Sequence, residues 1–131
     1  MANEAVQVEG PYETHDFTVA DGATIEKGTL CKLSDPRTAA ASSGADAFAG
    51  IAATEKVASN GKTELGLWTR GIFDLTTIGP AITAGDIVSL SGANLIKEAT
   101  EAEIQAGKGI GKALETSTAG SEVIEVFVGQ F

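Results

Sequence analysis

Two stretches of this chain repeat one another, and that repetition constrains the fold more than any single motif does. ATIEKGTLCKLS (23–34) lines up with AITAGDIVSLS (81–91) at an offset of 57, pairing Ile25 with Ile82, Gly28 with Gly85, Leu30 with Ile87 and Leu33 with Leu90. Allowing two extra residues, GIAA (50–53) falls on GIGK (109–112) and Gly61 on Gly120. ELGLWT (64–69) then falls on VIEVFV (123–128), which pairs Leu65 with Ile124, Leu67 with Val126 and Trp68 with Phe127. Each copy reads as a glycine turn, a strand, a Gly-Ile strand and a closing apolar strand. One such unit cannot bury its apolar face alone. The expected fold is therefore all-β, a small barrel or sandwich of two related units.

The rest of the chain is read around that repeat. HDFTVA (15–20) alternates Phe17 and Val19 with polar residues, as a half-buried strand does, and Gly71 between two apolar runs marks a bulge or bend. The one helix expected is TEAEIQAG (100–107), with Thr100 as its cap, Glu103 completing a capping box and Gly107 ending it. DPRTAAASSGADA (35–47) reads as a small-residue loop. Residues 1–14 carry Gly10-Pro11 and only a short alternation at Val6 and Val8, so they read as an extended arm, loose until a partner orders it. At 131 residues, 15–131 make one domain.

No motif of the chain carries a recognisable catalytic or ligand-binding signature. AGKGIGKA (106–113) places Ala106 and Ala113 where a P-loop needs glycine and a hydroxyl, and Lys112 where a dinucleotide fingerprint needs its third glycine. The lone histidine, His15, lies beside Asp16 as an ordinary surface histidine does, and the single Cys31 excludes an internal disulfide and reads as a small, partly buried filler. His and Cys are too few for a zinc site, no EF-hand loop occurs, and Glu101 and Glu103 suit a helix start. No catalytic residue, cofactor or metal is expected. A formal net charge of −9 with scattered basic residues argues against nucleic-acid and anionic-membrane partners. No signal-peptide pattern or apolar run of membrane-spanning length is present, so synthesis in a cytoplasm is expected. Aromatic residues are only 5%, and Trp68, Phe73 and Phe127 read first as core and second as a subunit interface.

A polar arm, a glycine turn before a Leu-rich strand and a variable small-residue loop lead into AGIAATE, ELGLWTRGIFDL, ITAGDIVSLSGANLIK, GIGKALE and a terminal EVIEVFVGQF. That order, over roughly residues 15–131, resembles the head-decoration, or capsid cement, proteins of tailed bacteriophages. The resemblance implies a virion protein on the outer capsid surface that bridges major capsid proteins, commonly as a homotrimer. On that basis Val6, Val8, Pro11 and Tyr12 of the arm are candidate capsid contacts, by strand addition to a capsid-protein edge. Trp68 and Phe73 are candidate subunit-interface residues. Removing residues 1–14 is expected to weaken attachment and leave the domain folded. The alternatives are a carbohydrate- or receptor-binding β module of a virion or cell surface, a carboxylate-dependent hydrolase, and a ring-forming tail-tube or head-completion protein.

Overall fold

The computed structural model describes residues 2–131. Nine strands follow one another with a single helix near the end: β1 (Val6–Thr18), β2 (Leu30–Asp35), β3 (Thr38–Ala41), β4 (Phe48–Ala52), β5 (Glu64–Thr77), β6 (Ile87–Leu90), β7 (Leu95–Glu98), α1 (Glu101–Gln105), β8 (Gly109–Ala113) and β9 (Val123–Val128). The chain is all-β, as the alternation and the scarcity of helical periodicity predict. Its strands form one sheet that curls into two rings, not one clean barrel. β1, β3, β2, β4 and β5 close the first ring, because β1 also pairs with β5. β5, β7, β6, β8 and β9 close the second, through the β5–β9 pairing. The long strand β5 belongs to both.

The internal repeat is therefore real at the level of register. Cys31 faces Ala41 and Gly50 in the first ring, and Val88 faces Glu98 and Gly111 in the second. Gly28 N–H donates to Ala52 O at 2.8 Å, and Gly85 N–H to Ala113 O at 2.7 Å. Ile51 faces Trp68 as Lys112 faces Phe127. One detail of the sequence alignment is corrected by these pairings. Gly50 corresponds to Gly111, not Gly109, so GIAA is shifted by two residues from the match expected. The shift keeps every side chain on its face, because strand residues alternate.

The repeat also extends further than the sequence suggests. Phe17 opposes Leu65 and Thr18 opposes Glu64, as Leu75 opposes Ile124 and Thr76 opposes Val123. The C-terminal part of β5 thus stands in the second ring where the C-terminal part of β1 stands in the first. β3 corresponds to β7 in the same way, Ala39 opposing Leu33 as Ile96 opposes Leu90. The segment 35–47, expected as a loop, contains β3. Thr38–Ala41 has no large apolar residue to signal a strand, and pairing with β2 is what makes it one.

Two clusters fill the rings. Val19, Ile25, Cys31, Ala39, Ala52, Leu65 and Leu67 pack the first. Phe73, Leu75, Ile82, Val88, Leu90, Ile96, Ile110, Ile124 and Val126 belong to the second, which continues through Leu30, Ile51 and Trp68. Cys31 is fully buried, more than the filler expected, and burial pushes its thiol up to about 12, which leaves it an inert packing group. Leu33 departs from Leu90. It is 42% exposed, because β2 runs out beyond the ring.

The helix is as the sequence predicts. Thr100 Oγ1 accepts from Glu103 N–H at 3.2 Å, and Glu103 Oε1 accepts from Thr100 N–H at 2.9 Å, the reciprocal capping box. Glu103 also pairs with the Lys97 ammonium. Hydrogen bonds from Lys97 and the Thr100 N–H hold its carboxyl at about 2, below the ordinary 4.5. A depressed folded-state pKa stabilises the fold above the unfolded value and loses that contribution as pH falls toward the folded one. Glu103→Gln is therefore expected to cost about 1–2 kcal/mol at pH 7. The deficit should narrow steadily as the comparison moves to pH 3. Urea titrations of both proteins at the two pH values check this; a deficit independent of pH would mean the charge contributes nothing.

Candidate functional site

The most exposed element of the fold is its first. β1 is a strand of 13 residues in which every side chain is exposed except the half-buried Tyr12 and Phe17. It lies antiparallel along β5 from Val6 opposite Asp74 to Thr18 opposite Glu64, with register shifts between residues 7 and 14. The arm expected over 1–14 is extended, but it is tied to its own chain. Ala5 N–H donates to Gly28 O at 2.8 Å, Asn94 Nδ2 donates to Ala2 O at 3.0 Å, and Ala5 is buried in the larger core cluster. Strand character continues through residue 14 without a break. The local sequence could not reveal this, since the partners of residues 6–14 on β5 lie more than fifty positions away.

One aromatic side chain anchors the arm. The Tyr12 ring sits 6.1 Å from that of Trp68 and 5.3 Å from that of Phe73, and the latter two rings are 5.4 Å apart. The slot exists because Gly71 has no side chain. A Cβ there would overlap the Tyr12 ring, and its φ of 138° is one that other residues rarely adopt. Gly71 lies within the unbroken β5, opposite the register shift between Glu9 and Glu13 of β1, and its missing side chain seats Tyr12. Of the candidate capsid contacts, Tyr12 is half-buried in this cluster, whereas Val6, Val8 and Pro11 are exposed. Pro11 borders a shallow depression of about 230 Å³ with Glu9, Arg70 and Phe127. The candidate interface residues lie inside the chain: Phe73 is fully buried and Trp68 is 9% exposed, with the Lys27 ammonium 5.7 Å from its ring centroid. Both are core residues of the monomer.

The outward direction of β1 follows from two hydrogen bonds. Val19 N–H donates to Thr63 O on the β5 side at 2.9 Å, and Thr18 N–H donates to Arg37 O on the β3 side at 2.9 Å. Alternation along the strand then turns the N–H groups of Thr14, Asp16 and Thr18 away from β5. Arg37 Nε donates to Asp16 O at 2.9 Å, on that same outer side. β3 reaches β1 only at Thr18. His15 Nδ1 lies 2.9 Å from Thr69 Oγ1, an exposed cross-strand contact.

The glycine-rich segment 106–113 has a structural role. Gly107 follows α1, and Gly109–Ala113 is β8. A Cβ on Gly111 would collide with the Phe127 carbonyl, and one on Gly109 would meet the Phe131 ring at 2.8 Å. Beside it Ile87, Ile104 and Phe131 line an apolar groove of about 570 Å³. The β5–β9 register also gathers Asp74, Glu115 and Glu125, whose carboxylate oxygens lie within 4.8 Å of one another. Glu115 and Glu125 are distant from Asp74 in sequence, so no spacing motif announces the group. Among the described residues no helix is long and apolar enough to cross a membrane.

Two β-rings that share one long strand define an all-β structural module. The chain belongs to the phage cement protein family, whose model matches residues 10–128. That membership assigns it a capsid cement role, in association with capsid proteins in the virion. No curated protein matches the chain.

Proposed function

We propose that the protein binds the outer surface of the assembled phage head and bridges neighbouring major capsid proteins, as a homotrimer, so that the shell resists expansion and loss of subunits. It acts by binding and not by catalysis. The observation that carries the reading is β1, a long strand paired along β5, touched by β3 only at Thr18 and anchored at Ala5 and Tyr12, with Val6 59% and Val8 41% exposed. Exposed valines on an extended strand suit addition to a capsid-protein sheet. The strong negative charge keeps the free protein from host nucleic acid before assembly.

Deleting residues 1–14 is no longer the right test, because Ala5 and Tyr12 belong to the packing. Replacing Val6 and Val8 by Ser leaves both anchors in place. The double variant is expected to keep its melting temperature within a few degrees and to lose about tenfold or more in occupancy on heads. Undiminished occupancy, measured by quantifying the protein in purified particles, removes the arm from the mechanism. A carbohydrate- or receptor-binding reading calls for an aromatic face in solvent, and Trp68 and Phe73 do not provide one.

A further inference from the structure

We propose that the outer edge of β1 around Thr14 and Asp16 is a docking site for an extended, lysine- or arginine-bearing segment of the capsid partner, which adds to it as an antiparallel strand. The identity of the partner rests on the capsid reading above; the chemistry of the edge does not.

The internal repeat shows what the edge is built to receive. Thr14 opposes Trp68 and Asp16 opposes Gly66 in the first ring, where Ile72 opposes Phe127 and Asp74 opposes Glu125 in the second. Ile72 and Asp74 are therefore the counterparts of Thr14 and Asp16. On their other side both are covered, antiparallel, by Glu9 and Val6 of β1. Thr14 and Asp16 have no such cover: among the described residues β1 pairs only with β5 and, at Thr18, with β3. The same fold thus fills this position with an extended strand in one ring, whereas in the other no strand covers it and the Arg37 side chain alone reaches Asp16 O. The Thr14 and Asp16 N–H groups point into the opening, about 7 Å apart along the strand. An edge of this kind is a template for a further strand.

Charge selects the occupant. Glu9, Glu13 and Asp16 are all exposed along β1, and the whole chain carries −9. A second copy offering its own β1 would set acids against acids, which is destabilising across a strand pair. The same repulsion excludes nucleic acid and anionic lipid. A cationic extended segment gains both the backbone bonds and the attraction, with Arg37 bounding the site at its far end through Asp16 O.

The test uses two capped peptides, one alternating Val with Lys and one alternating Val with Glu, added to the full chain. The Val/Lys peptide is expected to slow amide exchange at Thr14 and Asp16 by about tenfold or more, and the Val/Glu peptide to have no effect. Thr14→Pro removes an outward donor without touching the β5 ladder, so it should stay folded and lose the response. Should that variant unfold, Glu13→Lys combined with Asp16→Lys serves instead and is expected to reverse the preference toward the Val/Glu peptide. Binding of the Val/Lys peptide with no slowing at Thr14 and Asp16, no binding at all, or an unreversed preference overturns the proposal. Slowing that follows protein concentration without peptide overturns it in favour of self-pairing. Head occupancy of wild type and Thr14→Pro separates the two readings. Equal occupancy means the edge is not used on heads, whereas a wild type absent from heads sinks the capsid reading and leaves the peptide result standing.

Discussion

Gly111→Ala is expected to destabilise the protein by about 3 kcal/mol or more, the upper range for an overpacked site. The residue sits in β8 with Val88 on one side and Val128 on the other. A methyl group there would land on the Phe127 carbonyl and on the Val128 Cα, all backbone atoms. No side chain can rotate away to relieve the overlap. Nor can β9 retreat, since its far edge is paired with β5 from Gly71 to Thr76. Two other glycines calibrate the effect. Gly50, the counterpart in the first ring, would meet the Leu67 Cβ and Trp68 O at 2.8 Å, a tight contact of the same kind but less severe. Gly109 would press on the Phe131 ring at 2.8 Å and on Ile87 Cγ2 at 3.0 Å, both side-chain atoms, and Phe131 is exposed. Alanine at the three positions should therefore cost most at 111, less at 50 and below about 1 kcal/mol at 109. Equilibrium urea unfolding gives the order directly, and equal costs at 111 and 109 would contradict it.

Lys56→Met is expected to cost about 2–5 kcal/mol although it replaces a charge by an apolar chain of similar length. Lys56 is among the largest fully buried side chains, and its ammonium donates to Asp21 O at 2.7 Å and Val57 O at 2.8 Å, with Asp21 Oδ1 at 3.5 Å. Methionine fills the space but leaves two carbonyls without their donor. The second ring does without a lysine here. Ser117 takes the corresponding place, donating its N–H to Ile82 O at 2.8 Å and accepting from Ile82 N–H through its hydroxyl at 3.0 Å, where Lys56 and Ile25 exchange two backbone bonds. The two rings thus close the same gap by different means. Thermal unfolding of Lys56→Met and Lys56→Arg checks the argument: the arginine variant keeps donors and should recover part of the loss, and an unchanged melting temperature for methionine would refute it.

The repeat was legible because its turns and closing strands use large, distinctive residues. Ile25 and Ile82 are both buried, and Leu65, Leu67, Ile124 and Val126 line corresponding walls. Alignment by identity failed where identity was shared for different reasons. Gly50 and Gly109 match as letters, yet the close approach of a neighbouring backbone is what demands glycine, and that occurs at Gly50 and Gly111. The equivalence of β1 with the end of β5 left only a short trace in sequence, Asp16-x-Thr18 against Asp74-x-Thr76. His15 is exposed and Phe17 only half-buried against the first ring's core, while their counterparts Phe73 and Leu75 are the core of the second. The capping box of α1 is purely local and was readable in full. The cis-chain pairing of the arm was not, because an exposed strand has no burial to impose alternation on its residues. The same reason hid the role of Tyr12: only the gap at Gly71, brought alongside by the β1–β5 register, shows where its ring goes.

β5 gives the molecule a mechanical character. Each ring is completed by one stretch of the same uninterrupted strand, so a pull on either ring passes to the other through covalent backbone as well as through the core cluster that spans both. Under a pull along that strand, the hydrogen bonds of its ladders with β1 and β9 are sheared together instead of being peeled one by one. A body wired in this way yields all at once or not at all, which is the behaviour of a rivet.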